Sequence, residues 1–212
     1  MRRSLASLAL VAACGGPRVA APSQPAACPA DRKLVLASQD DVRRALGCQR
    51  VAGVVVRTGA TIDLSPLVHL ATIDGDLVIG PTVGIDEVAL PELRRVGGTI
   101  HVGSNGSLRG LYLPQLERAG RLDIDGNVVL TTISLPRLAA VDGALVVTDN
   151  AALELLDAPA LVSVGKELVI AGAPDLALLE LGKLVKPDGI RLERLPKLPD
   201  DVRAQLGKPT PP

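Results

Sequence analysis

The fold is decided by two consecutive stretches, LPELRRVGGTIHV at residues 90–102 and LPQLERAGRLDI at residues 113–124. Each begins with Leu-Pro-x-Leu, passes an aliphatic residue and a glycine, and ends in a short alternating strand. The unit recurs along the chain, and its last leucines are 22 or 23 residues apart: Leu70, Leu93, Leu116, Leu138, Leu161 and Leu184. Such a period predicts a solenoid, in which each turn of chain stacks on the one before.

Other aliphatic columns keep the same register. They are Ile85, Leu108, Leu130, Leu153 and Leu176; Val88, Leu111, Ile133, Leu156 and Leu179; and Ile73, Val96, Ala119, Val141 and Val164. A strand then follows in each of seven units, at residues 54–56, 77–79, 100–102, 122–124, 145–147, 168–170 and 190–192. The first and third residues of each strand are aliphatic and share one face, so we expect like residues to stack into one core.

The middle residue of each strand is predicted to point outward. This column contains four valines, and we interpret it as a candidate face for a partner protein, although the strand propensity of valine alone also explains it. Its members are Val55, Val78, His101, Asp123, Val146, Val169 and Arg191.

Two polar or small columns flank the strands. Glycine precedes the strand at residues 53, 75, 98, 120, 143 and 189, where a tight corner with positive φ is expected. Asn105, Asn127 and Asn150 follow it in one column. Turn asparagines tolerate the left-handed region and can hydrogen-bond along the stack, which predicts a structural ladder.

Both ends of a solenoid need caps. Ser38 to Asp41 is similar to a capping box and predicts a short helix to about Leu46, stopped by Gly47. A second short helix is expected from Asp200 or Asp201 to near Gly207, followed by a frayed proline-rich tail. The repeat domain is therefore placed at residues 28–198, and the C-terminal cap and tail at residues 199–212.

The first residues indicate export. Arg2 and Arg3 precede an apolar run from Leu5 to Ala13 that is too short to span a bilayer, so residues 1–13 are interpreted as a signal peptide. The run ends in Val11-Ala12-Ala13-Cys14, which resembles a bacterial lipobox and makes Cys14 the expected lipid attachment site. Gly15, which follows in place of aspartate, favours the outer membrane by resemblance to Gram-negative sorting rules. Residues 14–27 are expected to form a flexible lipidated tether, so the membrane is the first expected partner, on the periplasmic or the surface side.

The three cysteines support the division of the chain into a lipidated tether and a repeat domain. If Cys14 carries lipid, Cys28 and Cys48 remain, and an oxidising compartment allows them to form a disulfide. Two free thiols are the alternative. A metal site is disfavoured because two cysteines without neighbouring histidines offer too few ligands.

Together these features resemble the receptor L-domain family. The resemblance rests on Cys28, on Leu46-Gly47-Cys48, on the strand at residues 51–56 and on the aliphatic-x-Gly-x-aliphatic-x-aliphatic pattern at residues 73–79. It covers residues 28 to about 195 and implies a mainly β, right-handed parallel β-helix with a general binding role. A leucine-rich-repeat horseshoe is the rival fold, since Leu108-x-x-Leu111-x-Leu113 matches its opening, but Leu116 stands where its asparagine is expected.

Composition and motifs limit the function. The 23 basic and 23 acidic residues balance, and the chain has one tyrosine and no Phe or Trp, which disfavours nucleic-acid partners. We expect His101 to lie beside Asp123 as a surface pair. Asp123 and Asp125 alternate outward, but calcium needs six or more oxygen ligands, so no metal, cofactor or catalytic residue is predicted. The expected function is a non-enzymatic envelope scaffold that binds a protein or an envelope polymer. A carbohydrate-active β-helix enzyme is the alternative.

Overall fold

A computed structural model describes residues 28, 30–185 and 187–206 of the 212-residue chain. The signal peptide, Cys14, the tether and the tail beyond Leu206 lie outside the described residues. The elements are β1 (Lys33–Leu36), α1 (Gln39–Arg44), β2 (Arg50–Val51), β3 (Gly53–Thr58), a 3-10 turn (Ser65–Leu67), β4 (Thr72–Ile73), β5 (Leu77–Thr82), β6 (Glu87–Ala89), β7 (Arg95–Gly103), β8 (Gly110–Tyr112), β9 (Arg118–Asp125), β10 (Thr132–Ser134), β11 (Ala140–Val141), β12 (Leu145–Thr148), β13 (Leu155–Ala158), β14 (Ser163–Val164), β15 (Glu167–Ala171), β16 (Leu178–Leu181), β17 (Gly189–Glu193) and α2 (Asp200–Leu206).

The chain forms a parallel β-solenoid of about seven turns, which confirms the predicted architecture. One long sheet runs in the order β1-β3-β5-β7-β9-β12-β15-β17, and a second runs β6-β8-β10-β13-β16. Every pairing between the strands is parallel, and partners on neighbouring rungs are the residues that share a column in the sequence. The second side of the solenoid is therefore built from strands, and the rival horseshoe prediction is wrong for this chain.

The interior is a single stack of aliphatic side chains. Leu93, Leu116, Leu138 and Leu161 are all completely buried in one hydrophobic cluster, as the repeat predicts. The strand columns also superpose, since Leu77 pairs with Ile100, and Ile100 with Leu122. Each rung covers the apolar face of its neighbours, because a single turn of chain cannot bury its own.

The asparagine ladder forms inside the same stack. Asn105, Asn127 and Asn150 are fully buried. The Nδ2 of Asn105 donates to Oδ1 of Asn127 at 2.9 Å, and the Nδ2 of Asn127 donates to Oδ1 of Asn150 at 3.0 Å. Thr82 precedes the column and donates from Oγ1 to Oδ1 of Asn105 at 2.9 Å. The predicted ladder is therefore present.

The left-handed backbone, however, lies one residue earlier than the asparagines. The residues before the ladder column all have φ between 54° and 66°: Ser104, Gly126, Asp149, Gly172 and, one turn later, Arg194. The turn is made by these residues, which leaves the asparagine side chains free to point into the stack. The asparagines therefore form the predicted ladder without using the left-handed conformation that turn asparagines tolerate.

The first turn contains a strand that the repeat analysis missed. β1 pairs with β3, matching Leu34 to Val54 and Leu36 to Val56, and both leucines are buried. The helix α1 follows it, begins after Ser38 and ends two residues before the predicted Leu46. Ser38 and Ala37 hydrogen-bond to the Asp41 carboxylate and lower the pKa of that group.

Cys28 and Cys48 lie at disulfide distance, with their Cα atoms 5.2 Å apart, and the bond closes a span of 20 residues. It ties the start of the described chain to the first turn, which contains β1 and α1.

We expect Cys48→Ser to lower the free energy of unfolding by about 3 kcal/mol, because the unfolded chain regains the entropy of a loop of this size. Urea unfolding of oxidised wild type and variant measures the difference. The wild type under reductant should reproduce the variant, and equal midpoints for all three samples would contradict the prediction.

Candidate functional site

The outer face of the long sheet holds every residue of the predicted partner column. The parallel register pairs Val55 with Val78, Val78 with His101 and His101 with Asp123. It continues through Val146 and Val169 to Arg191. The seven residues thus form one continuous row across the rungs.

The exposure of this row differs from the expectation. Val55, Val78 and Val146 are half-buried, as are His101 and Asp123, whereas Arg191 is exposed. Val169 is buried, with only 1% of its surface accessible, although it lies outside the central hydrophobic cluster. The expectation of four valines facing water is therefore wrong at Val169, and the apolar part of the accessible face rests on Val55, Val78 and Val146.

A polar group interrupts the valines at the centre of the row. It consists of His101 on β7 and of Asp123 and Asp125 on β9, and one ligand atom from each lies within 4.8 Å of the others. Nδ1 of His101 is 3.5 Å from Oδ1 of Asp125, and both side chains are 40% exposed. The guanidinium of Arg121 is 3.4 Å from Oδ2 of Asp123.

The structure brings His101 towards Asp125 as well as Asp123. Asp123 is the direct cross-strand neighbour that sequence analysis predicted, whereas Asp125 lies opposite Gly103. A Cβ atom on Gly103 would be 2.9 Å from Nε2 of His101 and 2.9 Å from Oδ1 of Asp125. The glycine therefore leaves the space in which the imidazole and this carboxylate approach each other. Gly103 was the sequence signal that could have predicted the diagonal contact.

The second histidine lies in a simpler environment. Nδ1 of His69 is 3.4 Å from Oε1 of Glu92 on the next turn, and both side chains are more than half exposed. His69 belongs to none of the three-residue ligand groups found among the described residues. The two histidines of the chain therefore differ in the number of carboxylates that surround them.

Two shallow grooves flank the outer face in the described part of the chain. One, of about 430 Å³, runs along the corner glycines 97, 98, 120 and 143 and is bordered by Arg121, Asp142 and Lys166. The other, of about 400 Å³, lies beside the start of the ladder and includes Arg57, Thr58 and Thr82. Two cationic side chains and one carboxylate border the first groove.

Comparisons with family models, curated proteins and solved structures find no match to this chain. The resemblance to receptor L domains accordingly stays a prediction. Across residues 28, 30–185 and 187–206, no helix has the length and apolar character needed to cross a membrane.

Proposed function

We propose that the protein is a non-enzymatic lipoprotein of the bacterial cell envelope, anchored in the outer membrane through Cys14, that binds a protein or an envelope polymer on the outer face of its long sheet. The observation that carries the proposal is the continuous register of the outer-face row from Val55 to Arg191, in which every member except the covered Val169 is at least partly accessible. Repeat proteins use such extended faces for binding because consecutive rungs hold their side chains in a fixed order.

The chemistry of the row also supports a binding role. Half-buried valines border a polar centre, which combines apolar area with groups able to fix the orientation of a partner. The tether and lipid expected at residues 14–27 would hold this face near the membrane, where the partner would have to lie. The resemblance to receptor L domains points to binding in general and gives no ligand.

The anchor is tested by Cys14→Ser. We expect the variant to leave the membrane fraction and appear in the soluble envelope fraction, because removing the acylated thiol removes the hydrocarbon chains that hold the protein in the bilayer. Fractionation followed by immunoblotting measures the distribution. Cys48→Ser is the matched control, since it removes a cysteine without removing the lipid, and it should stay with the membrane. Unchanged fractionation of Cys14→Ser would refute lipidation.

The binding face is tested by the double variant Val78→Lys, Val146→Lys. Two ammonium groups on the row should reduce co-purification of a cross-linked envelope partner at least tenfold, because charges would replace apolar contact area. The matched control is Leu178→Lys, which alters a leucine that is 59% exposed on the second sheet. Circular dichroism verifies that all variants are folded. If the control loses the partner equally, or the double variant retains it, the proposed face is wrong.

The alternative is a carbohydrate-active enzyme, and the observation that favours it is the convergence of one imidazole and two carboxylates. Histidine and carboxylates are the groups that general acid–base catalysis uses most often. Turnover of envelope or extracellular polysaccharide that His101→Ala and Asp123→Ala abolish would establish the enzyme and refute the non-enzymatic proposal.

A further inference from the structure

We propose that His101, Asp123 and Asp125 form a binding site for a divalent first-row transition metal ion, with Zn²⁺ as its representative. All three residues project from two adjacent strands of the long sheet, and their nearest ligand atoms already lie within 4.8 Å of one another. A cation about 2.1 Å from each ligand atom separates two of them by at most about 4.2 Å. Small rotations of these partly exposed side chains are enough to reach that spacing.

The choice of metal follows from the ligand atoms. One imidazole nitrogen and two carboxylate oxygens suit zinc and its neighbours in the first transition row. Calcium takes six to eight oxygen ligands, and magnesium keeps most of its water, so a site with an imidazole ligand disfavours both. Three protein ligands leave at least one coordination position open to water or to a group on a bound partner.

Gly103 allows the two proposed ligands His101 and Asp125 to approach each other. It is the cross-strand neighbour of Asp125, and a side chain here would stand between His101 and Asp125. Its φ is not in the positive range, so the backbone conformation itself does not demand glycine. A methyl group here would instead meet the imidazole and the carboxylate, so it would displace the two proposed ligands from their present positions.

The charged groups at the site carry a net negative charge, which favours binding of a cation. The two carboxylates carry two negative charges, and Arg121, 3.4 Å from Asp123, supplies one positive charge. A bound metal ion would compete with that guanidinium for Asp123.

Removing the arginine charge with Arg121→Gln should therefore raise the affinity for Zn²⁺ severalfold. A fall in affinity would contradict the assignment of Asp123 as a ligand.

The test uses the full chain in detergent, produced without a polyhistidine tag, freed of metal by a chelator and titrated with Zn²⁺ at pH 7.5. Calorimetry gives the stoichiometry and affinity, and long-range ¹H–¹⁵N spectra separate the two imidazoles. We expect saturation near one equivalent, with the His101 signals shifted and the His69 signals unchanged. Equal responses of both histidines would indicate nonspecific binding and overturn the proposal.

The variants assign the ligands. His101→Ala and Asp125→Asn should each weaken Zn²⁺ binding by about tenfold or more, whereas His69→Ala should leave it unchanged. Gly103→Ala retains every ligand and should still weaken binding, whereas Gly106→Ala, whose added Cβ meets its nearest atom at an ordinary 3.8 Å, should not. Undiminished affinity in His101→Ala and Asp125→Asn would overturn the site. Displacement of Zn²⁺ by equimolar Ca²⁺ would overturn the metal class. None of these readouts depends on the lipid anchor or on the protein partner of the proposed function.

Discussion

Replacing Asn127 with alanine should lower the free energy of unfolding by about 4 kcal/mol, because it removes the central amide of the buried ladder. Oδ1 of Asn127 accepts both the backbone N–H and the side-chain Nδ2 of Asn105, at 3.2 Å and 2.9 Å. Its own Nδ2 donates to the backbone carbonyl of Val102 at 2.9 Å. Each buried polar group left without a partner costs about 1–3 kcal/mol. Alanine removes the acceptor of the Asn105 backbone N–H and the donor to the Val102 carbonyl, whereas the Nδ2 of Asn105 keeps its bond to the carbonyl of Ile79.

The environment of Asn127 offers no replacement partners. All three asparagines are inaccessible to solvent, and every buried side-chain nitrogen or oxygen among the described residues already has a hydrogen bond. Water therefore cannot reach the freed N–H groups of Asn105 unless the rungs separate. The loss should exceed that of an ordinary surface hydrogen bond severalfold.

Chemical denaturation of wild type and variant measures the difference. The matched control is Ser107→Ala, one turn earlier, which removes only the solvent-exposed hydrogen bond from Oγ to the carbonyl oxygen of Val83 at 2.8 Å. That control should lose about 1 kcal/mol or less. If both variants lose a similar free energy of unfolding, the buried ladder contributes no more to stability than a surface hydrogen bond, and the prediction is wrong.

Sequence analysis predicted the architecture because the repeat records the register directly. Residues that share a column of the repeat, such as Val88, Leu111 and Ile133, are the residues that the second sheet pairs. In a parallel stack of similar turns, each rung neighbours only the previous and the next one, so the order of the strands in the sheet follows the order of the chain. For that reason the inward and outward faces of the strands were also assigned correctly.

The errors arose where the backbone departs from the repeat. β1 was missed because α1 separates it from β3, so it stands outside the regular spacing. The left-handed residues were not located because Ser104 and Asp149, which are not glycines, adopt that conformation. Sequence periodicity records which residues stack, but it does not record which φ value makes the turn.

The candidate site was only partly predictable for a related reason. Cross-strand pairing placed His101 beside Asp123, as expected. The approach of His101 to Asp125 is diagonal and depends on the missing side chain at Gly103, so it requires the side-chain geometry. Likewise, the alternating pattern marks Val169 as outward but cannot indicate that its surface is covered.

Replacing Gly120 with alanine should cost about 4 kcal/mol, and the reason differs from the one that the sequence suggested. The corner glycines were expected to adopt positive φ, but none of residues 53, 75, 98, 120, 143 and 189 does so. Gly120 instead lies opposite a β-bulge: the register of β7 and β9 shifts between Val96 and Thr99, so that Gly97 and Gly98 together oppose this one residue. A Cβ on Gly120 would lie 2.4 Å from the carbonyl oxygen of Gly97 and 2.6 Å from that of Gly98.

Those oxygens belong to the backbone, so no side-chain rotation can relieve the overlap. The two strands must move apart, which combines an overpacking cost of about 3 kcal/mol with the loss of a ladder hydrogen bond worth about 1 kcal/mol. Gly189→Ala is the matched control in the same column, because no atom lies within 4 Å of its added Cβ. Thermal and urea unfolding of both variants measure the difference, and Gly189→Ala should change stability by less than about 1 kcal/mol. Equal stabilities of the two variants would contradict the prediction. They would mean that the close backbone contact between rungs does not restrict this corner position to glycine.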